Sequence, residues 1–219
     1  MKSSGIKAAL ATVALGVVLS SSALATTIYD NGAPDQANGN EMTHWLQTED
    51  FSVGSTSTLN GAEFWTLEAP GVSYDGTLQW TIFSDNAGNP GAIIATGVVD
   101  PNKVSTGNMV LGYYNECDYT FNTTSVSLTA GTVYHLGLHL NTSENYQNID
   151  GIYWETTGDN GTTSGIESES GTMDNWNNNG QEHAFKLYDT PVAPVPEPSS
   201  MMLLLPGLGG LGVLFRRRK

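Results

Sequence analysis

Between residues 26 and 190 no window sustains a helical apolar period, whereas apolar and polar side chains alternate and Gly, Asn, Thr and Ser return every few residues. Such a chain can bury one face of a strand but not one stripe of a helix, and this restricts it to antiparallel sheet. Residues 77–84 show the pattern most clearly, with Leu78, Trp80 and Ile82 on one side and Gln79 and Thr81 on the other. In residues 132–140, Tyr134, Leu136, Leu138 and Leu140 share one face, and Val133, His135, Gly137 and His139 the other. In residues 57–69, Ala62 and Phe64 oppose Trp65 and Leu67.

Further strands are expected at 26–29, in one or two pieces within 41–53, and at 92–99, 119–128, 148–156 and 182–188. Turn signals separate them: Asp30 to Gly39, Asp85 to Gly91, and Thr129-Ala130-Gly131, whose Gly suits a short hairpin. About eight or nine strands with regular turns predict an all-β fold, an antiparallel β-sandwich of jelly-roll type. Residues 157–181 differ, holding only Ile166, Met173 and Trp176 as apolar side chains. An unstructured loop of that length is unusual inside a domain. The segment is therefore either a long loop carrying a binding surface or the place of a strand around 165–173.

The ends of the chain have another character. Lys2 and Lys7 precede an apolar, small-residue stretch at 8–19, then serines and Ala23-Leu24-Ala25. This is the build of a secretory signal peptide at 1–25, with Thr26 as the first mature residue. At the other end, Pro191 to Pro198 is a Pro-rich spacer, and residues 201–215 carry no charge before Arg216, Arg217, Arg218 and Lys219. As a helix, residues 199–215 would span about 25 Å, near the lower limit for one transmembrane crossing, with the basic cluster as a cytoplasmic stop. Pro206 and Gly207, Gly209, Gly210 and Gly212 make it a poor permanent anchor.

The order Pro196-Glu197-Pro198, a short Gly-rich apolar segment and an arginine cluster resembles the PEP-CTERM sorting signal of exported bacterial proteins. The resemblance implies exosortase as a partner, with transient anchoring in the inner membrane by the helix and basic tail at 199–219. Cleavage near the Pro-Glu-Pro would then release the body to the cell surface or matrix. Its sorting residues here are Pro196, Glu197, Pro198, Arg216, Arg217 and Arg218. The body also resembles the choice-of-anchor type of sandwich, through Tyr-Ser-Asp-Asn-like Phe83-Ser84-Asp85-Asn86 before Pro90-Gly91, and Leu128-x-Ala130-Gly131-x-x-Tyr134. That match covers roughly residues 50–155 and brings no catalytic residues with it.

Charge then narrows the partners. All 22 acidic residues lie between Asp30 and Glu197, where only Lys103 and Lys186 are basic, so residues 26–197 carry a net charge of −20. Such a surface repels phosphate backbones, which excludes nucleic acid. Cys117 is the one cysteine, so no internal disulfide forms; its neighbours Glu116 and Asp118 raise rather than lower its pKa.

His135 and His139, on one strand, stand about 13 Å apart and cannot share an ion. The Asp174 to Gly180 stretch fails the EF-hand spacing, because Trp176 falls where a ligand is required. A looser calcium site on Asp85, Asn86 and Asn89, or on Asp174 and Glu182, stays open, and no other cofactor is expected. No Gly-x-Ser-x-Gly, His-Glu-x-x-His or phosphate-binding loop is present, so the body is read as non-catalytic. The alternatives to a structural surface protein are a carbohydrate-binding module and, behind it, a secreted hydrolase. Exopolysaccharide would then stack on Trp176 and Trp154 with Asn177 supplying an amide, since sugars are held by a flat ring plus amide hydrogen bonds.

Overall fold

Alternation becomes sheet throughout the computed structural model, which describes residues 25–142, 146–158, 165–169 and 173–192. The expected signal peptide and C-terminal helix lie outside these residues. Among the described residues no helix is long and apolar enough to cross a membrane. The strands in chain order are β1 (Thr27–Asp30), β2 (Gly39–Glu41), β3 (Trp45–Ser52), β4 (Ser57–Glu68), β5 (Leu78–Asn86), β6 (Asn89–Val99) and β7 (Asn102–Val110), followed by β8 (Tyr114–Leu128), β9 (Val133–Leu140), β10 (Ile152–Glu155), β11 (Ile166–Glu169), β12 (Asn177–Asn178) and β13 (Phe185–Tyr188).

They form two antiparallel sheets. In the first, β4 pairs along one edge with β8, which in turn pairs with β7. The other edge of β4 is shared: β13 lies against Gly61 to Phe64 and β10 against Thr66 to Glu68. Beyond these lie β1 and β2. The second sheet runs β12-β11-β3-β9-β5-β6. The chain changes sheet after β2, β3, β4, β6, β8, β9, β10 and β12, so strands from distant parts of the sequence become neighbours in each sheet. Packed face to face, the two sheets make a β-sandwich.

The inner faces carry the alternating residues. Leu78, Trp80 and Ile82 of β5 and Leu136, Leu138 and Leu140 of β9 meet Ala62 and Phe64 of β4, Tyr119 and Phe121 of β8, and Phe185 and Leu187 of β13. Aromatic rings tie the layers together: Phe51 on β3 lies 6.3 Å from Phe185, and Tyr29 on β1 contacts both at 5.7 and 5.4 Å.

The second sheet is also covered on its outside, which alternation alone does not show. His135, Gly137 and His139, on the face of β9 opposite its core leucines, are buried there with Thr81 and Phe83. Among the described residues, the cover comes from Trp176 and Tyr146. Within 165–173, where the sequence leaves a strand as the alternative to a long loop, β11 pairs with β3, with β12 beside it. Trp176 meets Phe83 edge-on at 5.6 Å, and Tyr146 stacks on His139 at 3.7 Å. Gly137 makes room for this arrangement: a Cβ there would stand 2.8 Å from the Phe83 ring. Burial lowers the His139 pKa to about 4, so its Nε2–H donates to the Thr43 carbonyl at 2.7 Å as a neutral imidazole.

β7 escaped the sequence reading, and β8 starts at Tyr114 rather than near residue 119. β7 is an edge strand with an irregularity between Ser105 and Met109, and its Val104 and Met109 are exposed. It has no buried face to leave an alternating signature. β7 nonetheless supplies Lys103, whose Nζ lies 2.6 Å from Glu68 Oε2. The buried Glu68 carboxylate also accepts from Tyr119 Oη at 2.7 Å and Thr66 Oγ1 at 3.2 Å. Replacing Lys103 with Met leaves that carboxylate with neutral donors alone. The expected cost is about 1–2 kcal/mol in urea unfolding, since orphaning a buried charge outweighs losing an exposed pair. An unchanged midpoint would contradict the assignment.

Cys117 behaves as the sequence suggests. It is buried, and burial together with the nearby Glu68 pushes its thiol up to about 12.

Candidate functional site

The three residues expected to form a sugar site do not share a surface. Trp154 on β10 is 0% exposed: it stacks on His183 at 4.7 Å, and its Nε1–H donates to the Ala184 carbonyl at 2.9 Å. No face of that ring is open to a ligand, which corrects its assignment as a binding platform. Trp176 is half-buried against Phe83 as part of the cover over the second sheet. Asn177 is exposed on β12 and donates to the Asn175 carbonyl at 3.1 Å.

Asp85 is also engaged, accepting from the Gly88 amide at 3.0 Å and facing His135 Nε2 at 3.0 Å. Among the described residues no group of three or more His, Cys, Asp and Glu side chains is placed to hold a metal ion. Pro196, Glu197, Pro198, Arg216, Arg217 and Arg218 lie outside the described residues.

Half-buried and exposed tyrosines gather instead on the outer face of the first sheet. The β7–β8 hairpin turns through Leu111 and Gly112, both at positive φ (53° and 67°), with Tyr113 N donating to Val110 O at 3.1 Å. Three residues separate the paired Val110 and Tyr114, and positive φ at the first of them is costly for a leucine. Leu111 and Tyr113 at this tip are 70% and 53% exposed.

Behind the tip, Tyr114 meets Tyr113 edge-on at 4.9 Å and Tyr153 at 5.7 Å. Register puts Leu67 of β4 beside Tyr153 of β10 and Tyr153 beside Glu41 of β2. Together Asn38, Gly39, Leu67, Leu111, Tyr114 and Tyr153 enclose a groove of about 150 Å³. Gly39 admits the tyrosine, because a Cβ there would fall 2.8 Å from that of Tyr153.

Carboxylates border the groove. Glu116 accepts from Gln36 Nε2 at 3.1 Å and from Asn108 Nδ2 at 2.7 Å. Glu155 accepts from the Gln36 backbone amide at 3.0 Å, while its Oε2 has no hydrogen-bond partner. Burial, reinforced by the charge of Glu116, pushes the Glu155 carboxyl up to about 8. Asp118 is raised to about 7 by burial and by Glu63. No single stretch of sequence announces this assembly, since its parts come from β2, β4, the β7–β8 turn, β8 and β10.

The two ends of the domain leave it side by side. Thr26 N donates to Asp189 Oδ1 at 3.1 Å, and Asp189 N donates back to Thr26 O at 3.1 Å. Asn60 Nδ2 holds the Asp189 carbonyl. The first residues of the Pro-rich spacer then lie against β8, with Val192 N donating to Asn122 Oδ1 at 2.7 Å. Gly61 on β4 provides the space, as a Cβ there would meet the Val192 side chain at 2.7 Å.

No curated protein and no solved structure matches the chain. The resemblance of residues 50–155 to the choice-of-anchor sandwiches is not confirmed by a family match. Residues 194–219, which begin two positions after the clamped Val192, match the PEP-CTERM protein-sorting motif.

Proposed function

We propose that the sandwich is the non-catalytic cargo of its C-terminal sorting motif, a surface or extracellular-matrix protein carried to its destination by exosortase processing. The motif at 194–219 carries this reading, since it marks a secreted protein processed at its C-terminus and sorted to the cell surface. The spacer that joins the two parts is proline-rich, so at about 3.1 Å per residue it would extend residues 191–198 over about 25 Å. In this proposal the segment at 199–215 anchors the chain in the inner membrane until exosortase cuts near Pro196-Glu197-Pro198. The released body would then begin at Thr26, with both of its ends tied together through Asp189.

The test is expression of the full chain in a bacterium with and without its exosortase, followed by fractionation and mass spectrometry of the body. The wild type is expected in the surface or medium fraction, shortened at its C-terminus. A Pro196→Ala, Glu197→Ala, Pro198→Ala triple variant, or loss of the exosortase, should leave at least a tenfold larger share in the inner membrane. Equal distribution of wild type and variant would overturn the proposal.

A further inference from the structure

We infer that the tyrosine groove on the outer face of the first sheet binds an uncharged sugar ring of a polysaccharide. Its size is the first argument. A groove of about 150 Å³ is half the lower bound of about 300 Å³ for drug-sized ligands, which suits a single ring of a longer chain.

The lining is the second. Leu67, Tyr114 and Tyr153 offer flat apolar surface, while Asn38 and the Gly39 backbone bring amide donors and acceptors to one edge. A pyranose has the matching division, an apolar C–H face and a hydroxyl rim. Tyrosines also bind at little entropic cost, because two χ angles position a large ring.

The surroundings decide the charge of the ligand. Glu41 flanks Tyr153 through the sheet register, and Glu116 lies beside Leu67 and Gln36. Uronate or sulfated sugars would meet like charge, whereas a neutral ring meets no such repulsion. The hairpin tip points the same way. Leu111 is held at positive φ with most of its side chain in water, and Tyr113 stands beside it. A strained, exposed apolar pair is better accounted for by something that covers it than by packing.

The experiment uses the full chain in a non-glycosidic detergent, titrated calorimetrically with neutral glucan and mannan oligosaccharides and with alginate oligosaccharides. Saturable binding of at least one neutral series is expected, with alginate binding at least tenfold weaker. Tyr153→Ala should weaken neutral-sugar binding at least tenfold, and Trp176→Ala should leave it within twofold. Because Tyr153 is half-buried, Tyr113→Ala and Asn38→Ala, at exposed positions, serve as second variants; each should weaken binding several-fold at an unchanged unfolding midpoint. The inference is overturned if no neutral oligosaccharide binds, if alginate binds as well or better, or if binding is lost with Trp176→Ala and kept with Tyr113→Ala and Asn38→Ala. None of these outcomes depends on exosortase, so this site and the sorting proposal fail separately.

Discussion

Trp154→Ala is expected to cost about 4 kcal/mol of stability, lowering the thermal midpoint by about 10 °C. The ring is fully buried and packs against His183, Phe64 and Phe185 at 4.7, 6.1 and 5.9 Å. Its loss opens a cavity that β-sheet neighbours cannot close, and it orphans the Ala184 carbonyl that accepts its Nε1–H. Trp176→Ala is the comparison. That side chain is half-buried and meets Phe83 through one edge, so about 1 kcal/mol is expected. Urea titration of both variants measures the difference. Equal losses would contradict the division of these tryptophans into core and cover.

Stability should fall as the pH rises from 6.5 to 8. Folded Glu155 holds its proton up to about pH 8, against an ordinary value of 4.5. Its contribution is therefore full below 4.5 and lost as pH passes through 8. Asp118, raised to about 7, acts in the same direction, more weakly because it is partly exposed. Glu49 is also raised, by burial.

The buried histidines act oppositely. His139 and His183 are lowered from 6.5 to about 4, so their contribution is present above 6.5 and lost as pH falls through about 4. Above 6.5 they no longer change, and the carboxyls alone set the slope. One proton is worth about 1.4 kcal/mol per pH unit, so Glu155 accounts for at most about 2 kcal/mol across this window. Glu155→Gln, an uncharged isostere, should flatten the slope and be more stable than wild type at pH 8. A wild-type stability that is level or rising between pH 6.5 and 8 would refute this account, as would an unchanged slope in the variant.

Much of the sandwich is legible because burying one face of a strand leaves a local signature. β4, β5 and β9 are read from Phe64, Trp80 and Leu136 with their alternating neighbours, since each strand meets the core on that face. β7 leaves no such trace: as an edge strand it exposes Val104 and Met109, and its contribution to the interior is the charged end of Lys103. β11 was visible only as a weakness in the loop argument. Its pairing partner β3 is 118 residues away at the Thr48–Ile166 contact, a distance over which no periodicity carries information.

The same difference separates the two sites. The sorting motif is contiguous and depends on local hydrophobicity, proline and charge, so residues 194–219 could be recognised without a fold. The tyrosine groove joins positions near 38, 67, 111–114 and 153, and sequence favoured Trp154 and Trp176 in their place.

By itself, then, the sequence determined an all-β, strongly acidic body ahead of a C-terminal sorting motif, because strand period, net charge and terminal hydrophobicity are local sums over neighbouring residues. Tertiary structure alone decided that β9 is buried on both faces, which tryptophans are enclosed and which tyrosines stay partly open to water. Those outcomes depend on register between distant strands and on what Trp176 and Tyr146 cover, and neither quantity is a property of any stretch taken alone.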